Sequence, residues 1–187
     1  MTDLLDLAAE LVDIPSESHE EGPLADLFER RLRDASKLLV DRIGDNVVAR
    51  SDLGREHRIV IAGHLDTVPA NGNQQAVIDG DRLYGLGACD MKGGLAAQLA
   101  TAIAIDEPEV DVTFVFYACE EVAAQHNGLK HLFETNPELV DGDVALLGEP
   151  TSAAIEAGCQ GTLRVKALYE GERAHTARPW KGRNAIH

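Results

Sequence analysis

The sequence predicts an α/β fold with a mixed, largely parallel β-sheet. Two near-continuous apolar runs, at 112–119 and 144–147, are typical of strands that are buried on both faces. Segments whose apolar residues recur at helical spacing alternate with such runs along the chain. With 187 residues, of which 44% are hydrophobic, the chain is long enough to bury one sizeable core.

Two amphipathic helices are predicted at the N-terminal end of the chain. The apolar residues of the first recur at helical spacing and a proline ends it: Leu4, Leu5, Ala8, Leu11, Val12 and Pro15. The second is predicted at 20–34, and its inner face carries Leu24, Leu27, Phe28 and Leu32.

Short strands are predicted next, because β-branched and apolar runs are bounded by turn residues. These strands lie at 38–40, 47–49 and 59–63. Residues 77–84 are typical of a hairpin around an Asp-Gly-Asp turn.

The second half of the chain is predicted to alternate helices and strands. Helices are predicted at 92–105 and 128–135, and each is followed by one of the two long apolar runs. From residue 162 the pattern changes to the alternation of a half-exposed antiparallel strand, with Leu163, Val165 and Ala167 on one face. We therefore expect one domain at 1–161 and a second at 162–187. Because the last residues read as a helix start with no helix after it, we expect the chain to be a fragment.

The composition is acidic and excludes some classes of partner. Lys and Arg number 17 against 32 Asp and Glu, which gives a formal net charge of -15. Nucleic acids and anionic membranes both select basic surfaces, so neither is an expected partner. No apolar run approaches the roughly 20 residues of a membrane span, and the N-terminus lacks the features of a signal peptide.

The chain has three cysteines, and their spacing matches no known pairing motif. The three, Cys89, Cys119 and Cys159, form no Cys-x-x-Cys pair, which argues against a disulfide framework and a structural zinc site. We expect reduced, mostly buried thiols in a cytoplasmic protein.

A histidine and an aspartate stand two residues apart where the strand at 59–63 ends. Side chains at i and i+2 of a strand share a face, so His64 and Asp66 point the same way. A histidine held by a carboxylate can be a metal ligand or half of an acid–base pair. Taken alone, the spacing is also compatible with chance.

Further acidic residues follow buried strands or a glycine-rich turn. They are Asp90, Glu120, Glu121 and Glu149. Ligands of open α/β sheets bind outside the carboxyl ends of the strands, so these acids are expected to meet His64 and Asp66 in one cleft. Five carboxylates packed together repel one another without a cation, which predicts a metal site and favours two ions, one carboxylate bridging them.

Other kinds of active site are disfavoured by the sequence. The glycine-rich loop at 85–94 lacks the ending of a phosphate-binding loop and the spacing of a dinucleotide fingerprint. No Gly-x-Ser-x-Gly motif occurs, and Cys119 is expected inside a strand, where it is a poor nucleophile.

Four motifs resemble those of the co-catalytic zinc hydrolases. That family includes aminoacylase, glutamate-releasing carboxypeptidase, acetylornithine deacetylase and succinyl-diaminopimelate desuccinylase. The motifs, in the family's order and spacing, are Gly-His-Leu-Asp-Thr-Val-Pro at 63–69, Gly-Ala-Cys-Asp-Met-Lys-Gly-Gly at 87–94, Glu-Glu at 120–121 and Gly-Glu-Pro-Thr at 148–151. The segments that look most like actinobacterial desuccinylases are 118–123, 155–161 and 173–178.

The resemblance implies a three-layer sandwich like that of zinc exopeptidases, and a role for each residue at its metal site. His64 and Glu149 would bind one metal ion, Glu121 would bind a second, and Asp90 would bridge the two. Glu120 would be the general base, and Asp66 would orient His64. The two ions are expected to be zinc, with cobalt or manganese as alternatives. A cis peptide bond is expected between Asp90 and Met91.

The resemblance also implies a lid that forms a homodimer. His175 matches the histidine with which the family reaches a partner's active site and stabilises the oxyanion. Arg178 is a candidate for binding substrate carboxylates, because arginine can grip a carboxylate through two hydrogen bonds. The family's last ligand, a histidine, lies farther along than this chain extends, so we expect weak or no activity and tighter binding of the first ion.

The activity that the resemblance implies is hydrolysis of N-succinyl-LL-2,6-diaminopimelate to succinate and diaminopimelate, in lysine biosynthesis. Two alternatives remain at this point. One is a deacetylase or carboxypeptidase of the same family, and the other is a scaffold that binds a metal or an amino acid without catalysis.

Overall fold

Five α-helices and seven β-strands make up the regular structure of the described chain. The structure is a computed structural model that describes residues 3–158 and 165–186. The helices are α1 (Leu4–Asp13), α2 (Gly22–Ala35), α3 (Gly93–Ala104), α4 (Gly128–Thr135) and α5 (Pro137–Val140). The strands are β1 (Leu39–Ile43), β2 (Asn46–Arg50), β3 (Arg58–His64), β4 (Val77–Asp79), β5 (Arg82–Tyr84), β6 (Asp111–Tyr117) and β7 (Val144–Leu147).

The main sheet is mixed, and its strands are ordered β1-β2-β6-β3-β7. β2 is antiparallel to both β1 and β6, whereas β3 is parallel to both β6 and β7. In register, His64 faces Tyr117 and Ala62 faces Leu147. The carboxyl ends of β3, β6 and β7 therefore lie side by side at the same end of the sheet. The hairpin of β4 and β5 forms a separate two-stranded sheet.

Helices cover both faces of the main sheet. On one face, α1, α2 and α3 pack against Ala49, Phe114 and Phe116. On the other face, α4 and α5 pack against Val48, Val115 and Tyr117. Neighbouring residues of β2 and β6 thus enter different cores, as the pleat of a strand requires. This arrangement confirms the predicted α/β three-layer sandwich with a mixed sheet.

Local sequence explains where several helices begin. The Asp3 carboxylate accepts a hydrogen bond from Leu5 N at 2.8 Å and caps α1. The Asn127 side chain does the same for α4, through Lys130 N at 3.0 Å. Within the described ranges, no helix has the length and apolar character that a membrane crossing demands.

The chain divides into two compact units, Met1–Ala153 and Ala154–His187. The predicted domain boundary at 161/162 falls among residues 159–164, which lie outside the described residues, and it stays a prediction. Leu163 of the predicted lid strand lies there too. The described continuation of that strand, 165–170, has no regular secondary structure. In the second unit, Glu172 and Arg183 pair as an isolated antiparallel bridge, and Pro179–Lys181 forms a 3₁₀ turn.

Candidate metal centre

Three strand ends supply most of the candidate site. His64 is the last residue of β3, Glu120 and Glu121 follow β6, and Glu149 follows β7. Because these strands are parallel neighbours, their carboxyl ends bring the four side chains to the same end of the sheet. Asp90 comes from the turn at Ala88–Lys92, which leads directly into α3.

His64 is buried at the centre of this group. Its Nε2 lies 3.0 Å from Asp90 Oδ1 and 4.0 Å from Glu149 Oε2. Its Nδ1 lies 3.0 Å from the backbone oxygen of Asp66. A hydrogen bond from Nδ1 to that oxygen leaves Nε2 aimed at the carboxylates, which is the orientation a metal ligand needs.

Asp90 and Glu121 complete a cluster with His64. One ligand atom from each of these three residues lies within 4.8 Å of the other two, close enough to hold one metal ion. The expected cis peptide bond between Asp90 and Met91 is present. Gly87, at the start of this turn, has a φ of 74°, a conformation that glycine adopts without a steric penalty.

The Asp66 carboxylate ties two parts of the site together. Its Oδ1 accepts from Glu120 N at 2.9 Å, and its Oδ2 accepts from Glu121 N at 3.0 Å. Oδ2 also accepts from Ser18 Oγ at 2.7 Å, while Oδ1 lies 3.4 Å from His64 Nδ1. The same side chain therefore holds both the imidazole and the turn that carries the two glutamates.

Charge and burial shift the pKa values of these groups. Burial would raise the pKa of Asp66, but hydrogen bonds from His64, Ser18 and the two backbone amides lower it to about 2. Burial would lower the pKa of His64, but its hydrogen bonds with Asp66 and Asp90 and the nearby carboxylates raise it to about 9. The carboxylates around His64 thus favour the protonated form of its imidazole.

Glu121 and Glu149 differ from Asp66 in that their carboxyl pKa values are raised. Burial raises the pKa of each above its ordinary value, and repulsion from Asp90 and other nearby carboxylates adds to the effect. A divalent cation would remove that repulsion. The donor set, one imidazole nitrogen with carboxylate oxygens, is one that zinc, cobalt and manganese all accept, so the residues fit a metal site.

Two predicted site residues lie in the second unit. His175 is exposed, and its Nδ1 accepts a hydrogen bond from Ala177 N at 3.2 Å. Arg178 is also exposed and directly precedes the Pro179–Lys181 turn. Their roles in substrate binding and oxyanion stabilisation stay predictions, as do the individual roles of the metal-site residues.

The cysteines differ from expectation in two respects, the first being that Cys119 lies just beyond the end of β6 and not inside the strand. Cys119 is buried, as predicted, and burial together with its contact with Glu21 raises the pKa of its thiol to about 11. Cys89, in contrast, is exposed, because it lies in the turn before α3 rather than in a strand. Cys159 lies outside the described residues.

Sequence reasoning missed two neighbours of the site. Ser18 bonds Asp66 from 48 residues away, and Met91 Sδ accepts a hydrogen bond from His64 N at 3.2 Å. Met91 directly follows Asp90 in the glycine-rich motif, and this position could have predicted that Met91 lies near the site. Nothing in the sequence near Ser18 marks its partner.

Residues 60–181 match the sequence model of peptidase family M20/M25/M40. Two curated relatives are similar along nearly the whole chain. The DapE protein of Mycobacterium tuberculosis (strain ATCC 25618 / H37Rv) is 50% identical over 186 residues, which cover 99% of this chain and 52% of that protein. The succinyl-diaminopimelate desuccinylase of Corynebacterium glutamicum is 46% identical over 186 residues, covering 97% of this chain and 50% of the relative. The chain thus spans about half the length of these relatives.

Solved structures share the fold. A tripeptidase from Staphylococcus aureus superposes with a TM-score of 0.65 at 21% identity and covers 98% of this chain and 53% of its own. An M20 family metallo-carboxypeptidase from Sulfolobus solfataricus gives a TM-score of 0.66 at 21% identity, covering 79% of this chain and 37% of its own. A Bacillus subtilis protein described as a dinuclear metal binding peptidase gives a TM-score of 0.54 at 18% identity, covering 75% and 41%.

Proposed function

Because this chain belongs to peptidase family M20/M25/M40, we propose that it is part of a metal-dependent amide hydrolase. The proposed reaction is cleavage of N-succinyl-LL-2,6-diaminopimelate into succinate and LL-2,6-diaminopimelate, as a step of lysine biosynthesis. The observation that carries the proposal is the cluster of His64, Asp90 and Glu121, whose ligand atoms lie within 4.8 Å of one another.

The proposed ligand roles are those that the resemblance to the co-catalytic zinc hydrolases implies. His64 and Glu149 would hold the first ion, since His64 Nε2 lies 4.0 Å from Glu149 Oε2. Glu121 would hold the second ion, and Asp90, with oxygens near His64 and in the same cluster as Glu121, would bridge the pair. Zinc is the proposed metal, with cobalt and manganese as alternatives. When bound, the ions would polarise the amide carbonyl and lower the pKa of the attacking water.

Glu120 is the proposed general base. Its backbone is fixed by Asp66 Oδ1 at 2.9 Å, next to Glu121, whose backbone is fixed by Asp66 Oδ2. Of these two adjacent side chains, Glu121 belongs to the metal cluster, which leaves Glu120 available to the substrate. Glu120 would take a proton from the attacking water and deliver it to the leaving amine.

The substrate assignment is supported by the relatives rather than by a pocket. The Corynebacterium glutamicum protein, at 46% identity, carries the name succinyl-diaminopimelate desuccinylase. In our proposal, Arg178 binds a substrate carboxylate through paired hydrogen bonds, and His175 stabilises the oxyanion across a homodimer. Replacing Arg178 with alanine should raise the Michaelis constant, and an unchanged value would remove Arg178 from the proposal.

The test is a product assay on the purified protein loaded with Zn²⁺. Proton NMR would follow succinate released from N-succinyl-LL-2,6-diaminopimelate and acetate released from N-acetylornithine. We expect weak release of succinate that still exceeds the level given by Glu120→Gln, a variant of nearly identical shape that should be slower by about 10²–10⁴-fold. Brisk acetate release without succinate would overturn the substrate, and equal rates for Glu120→Gln would overturn the general base.

A further inference from the structure

Three glycines lie beside the proposed ligands and leave no room for a side chain. They are Gly63, which precedes His64, Gly148, which precedes Glu149, and Gly94, in the first turn of α3. We call these three residues the glycine junction. The side chains that fill the space among them include Met91, next to Asp90, and Gln98, from the middle of α3.

An added Cβ at each glycine of the glycine junction would lie closer than 3.0 Å to a neighbouring atom, so that a side chain there would force its surroundings to shift. A Cβ on Gly148 would lie 2.0 Å from Gln98 Nε2, and a Cβ on Gly63 would lie 2.9 Å from Gln98 Oε1. A Cβ on Gly94 would lie 2.6 Å from the Gly148 oxygen. The Gln98 amide therefore packs against both of the backbones that lead to His64 and Glu149.

Gln98 is also bonded to the point where these two backbones leave the sheet. Its Nε2 donates to the Ala62 oxygen at 3.1 Å, and Gly148 N donates to the same oxygen at 2.9 Å. Ala62 and Leu147 form the last register pair of β3 and β7. Gln98 thus packs against the Gly148 turn and shares with Gly148 N the acceptor at which the pairing of β3 and β7 ends.

Stability alone does not explain a glutamine here. The side chain is 7% exposed, and its Oε1 has no hydrogen-bond partner among the described residues. A buried acceptor without a partner lowers stability, whereas an apolar side chain of similar length would fill the space without that cost. The amide nitrogen instead meets the backbone of Ala62, two residues before the proposed ligand His64.

We propose that Gln98 is a positioning residue, which sets the separation of His64 and Glu149 by fixing the Gly148 turn against Ala62. The inference rests on the proposed function, because it takes both residues as ligands of the first metal ion. Residues that orient metal ligands through hydrogen bonds commonly change metal affinity by about 10–100-fold when removed.

The test compares Gln98→Ala, Gln98→Met and the control Leu99→Ala, the next residue of α3, which is buried in the core. Titration with Co²⁺, followed by its visible absorption, gives affinity and ligand geometry. Hydrogen exchange of the Gly148 amide in the metal-free protein reports the turn directly.

We expect Gln98→Ala to bind Co²⁺ about 10–100-fold more weakly, with an altered spectrum and faster Gly148 exchange. Gln98→Met should show an intermediate affinity with an unfolding temperature no lower than wild type. Leu99→Ala should lower the unfolding temperature while keeping wild-type affinity.

Wild-type affinity and Gly148 exchange in Gln98→Ala would overturn the inference, as would an affinity loss in Leu99→Ala equal to that of Gln98→Ala. A wild-type chain that binds no Co²⁺ would instead overturn the proposed function. In that case, faster Gly148 exchange in Gln98→Ala would still support fixation of the turn by Gln98.

Discussion

Asp66 shows how much of the candidate site depends on a single side chain. Its two carboxylate oxygens accept three hydrogen bonds, from Ser18, Glu120 and Glu121, and one of them lies close to His64. An ionised carboxylate can accept all of these bonds because both of its oxygens carry lone pairs and neither carries a proton. Besides its expected role of orienting His64, Asp66 therefore also holds the turn that carries Glu120 and Glu121.

Replacing Asp66 with asparagine keeps the shape and changes one oxygen into a donor. The new NH₂ group would face one of the donors that now bond Asp66, from Ser18, Glu120 or Glu121, and that donor would lose its acceptor. We expect metal affinity to fall by about 10–100-fold, and the free energy of unfolding to fall by about 1–3 kcal/mol. Calorimetric Zn²⁺ titration and urea unfolding would measure the two effects. Glu134→Gln, an exposed change on α4, should alter neither, and unchanged affinity in Asp66→Asn would contradict the role.

Asp111 makes a comparable set of bonds away from the metal site. Its Oδ1 accepts from Ser51 Oγ at 2.5 Å and Leu53 N at 3.0 Å, and its Oδ2 accepts from Arg55 N at 2.9 Å. Burial would raise the pKa of Asp111, but these bonds and the charge of Arg58 lower it to about 2. A carboxylate with a lowered pKa in the folded state stabilises the fold above the pKa of the unfolded chain, about 3.9.

We therefore expect Asp111→Asn to lower the free energy of unfolding by about 1–3 kcal/mol at pH 7. The difference from wild type should be constant down to pH 5 and should shrink as the pH falls from about 4 towards 2. Urea unfolding at a series of pH values would measure it. The exposed Asp106, paired with Lys37, gives the matched control, since Asp106→Asn should change stability by less than about 1 kcal/mol. A difference that persists unchanged at pH 2 would contradict this account.

At the scale of elements, the junction between β6 and α4 is as tight as the glycine junction. Gly128 opens α4, and a Cβ there would lie 2.0 Å from Asn46 Oδ1 and 2.8 Å from Ala118 N. Those two atoms are hydrogen-bonded to each other at 3.0 Å, so neither can move aside freely. The start of α4 is thereby fixed beside the strand end that leads to Glu120.

Gly128→Ala should therefore destabilise the fold although alanine favours helices. Alanine gains up to about 1 kcal/mol over glycine within a helix, whereas overpacking costs about 1–3 kcal/mol, so a net loss is expected. Gly22→Ala is the matched control, because Gly22 also opens a helix and its added Cβ would meet atoms no closer than 3.7 Å. Thermal unfolding of both variants would measure the contrast. Equal unfolding temperatures would mean that the junction relaxes.

Most elements could be predicted because their signals are local. Helical spacing and apolar runs predicted α1 to α4 and the strands of both sheets, while the short α5 was missed. The ligand residues carried a signal as well, since each follows a strand or a glycine-rich turn. The sheet order, the contact of Ser18 with Asp66 and the place of Gln98 join residues far apart in sequence, and no periodicity records such pairings. The alternation from Leu163 gave the wrong expectation for 165–170, where no strand forms.

At the scale of the whole molecule, the two edges of the main sheet differ in character. The edge strand β7 is entirely apolar, and Val144, Leu146 and Leu147 are each about half exposed. The opposite edge, β1, carries Asp41 and Arg42. Charged side chains on an edge discourage pairing with other chains, and an apolar edge permits it.

We expect the purified chain to self-associate through β7. Leu146→Lys should lower the associated fraction measured by analytical ultracentrifugation, because a charge on the edge disfavours strand pairing. Leu39→Lys places the same charge on the exposed end of β1 and should leave association unchanged. Equal association in wild type and Leu146→Lys would assign it to another surface.

The proposed metal ligands are spread widely along the chain. The proposed ligands run from His64 to Glu149, and the carboxylate that orients them bonds residues 48 to 55 positions away. While the chain emerges from the ribosome, the donor set is incomplete until residue 149 has been synthesised and β7 has paired with β3. The complete set of proposed ligands therefore exists only after β3 and β7 have paired, so that binding by all of them should depend on the assembled sheet and not on any one segment of the chain.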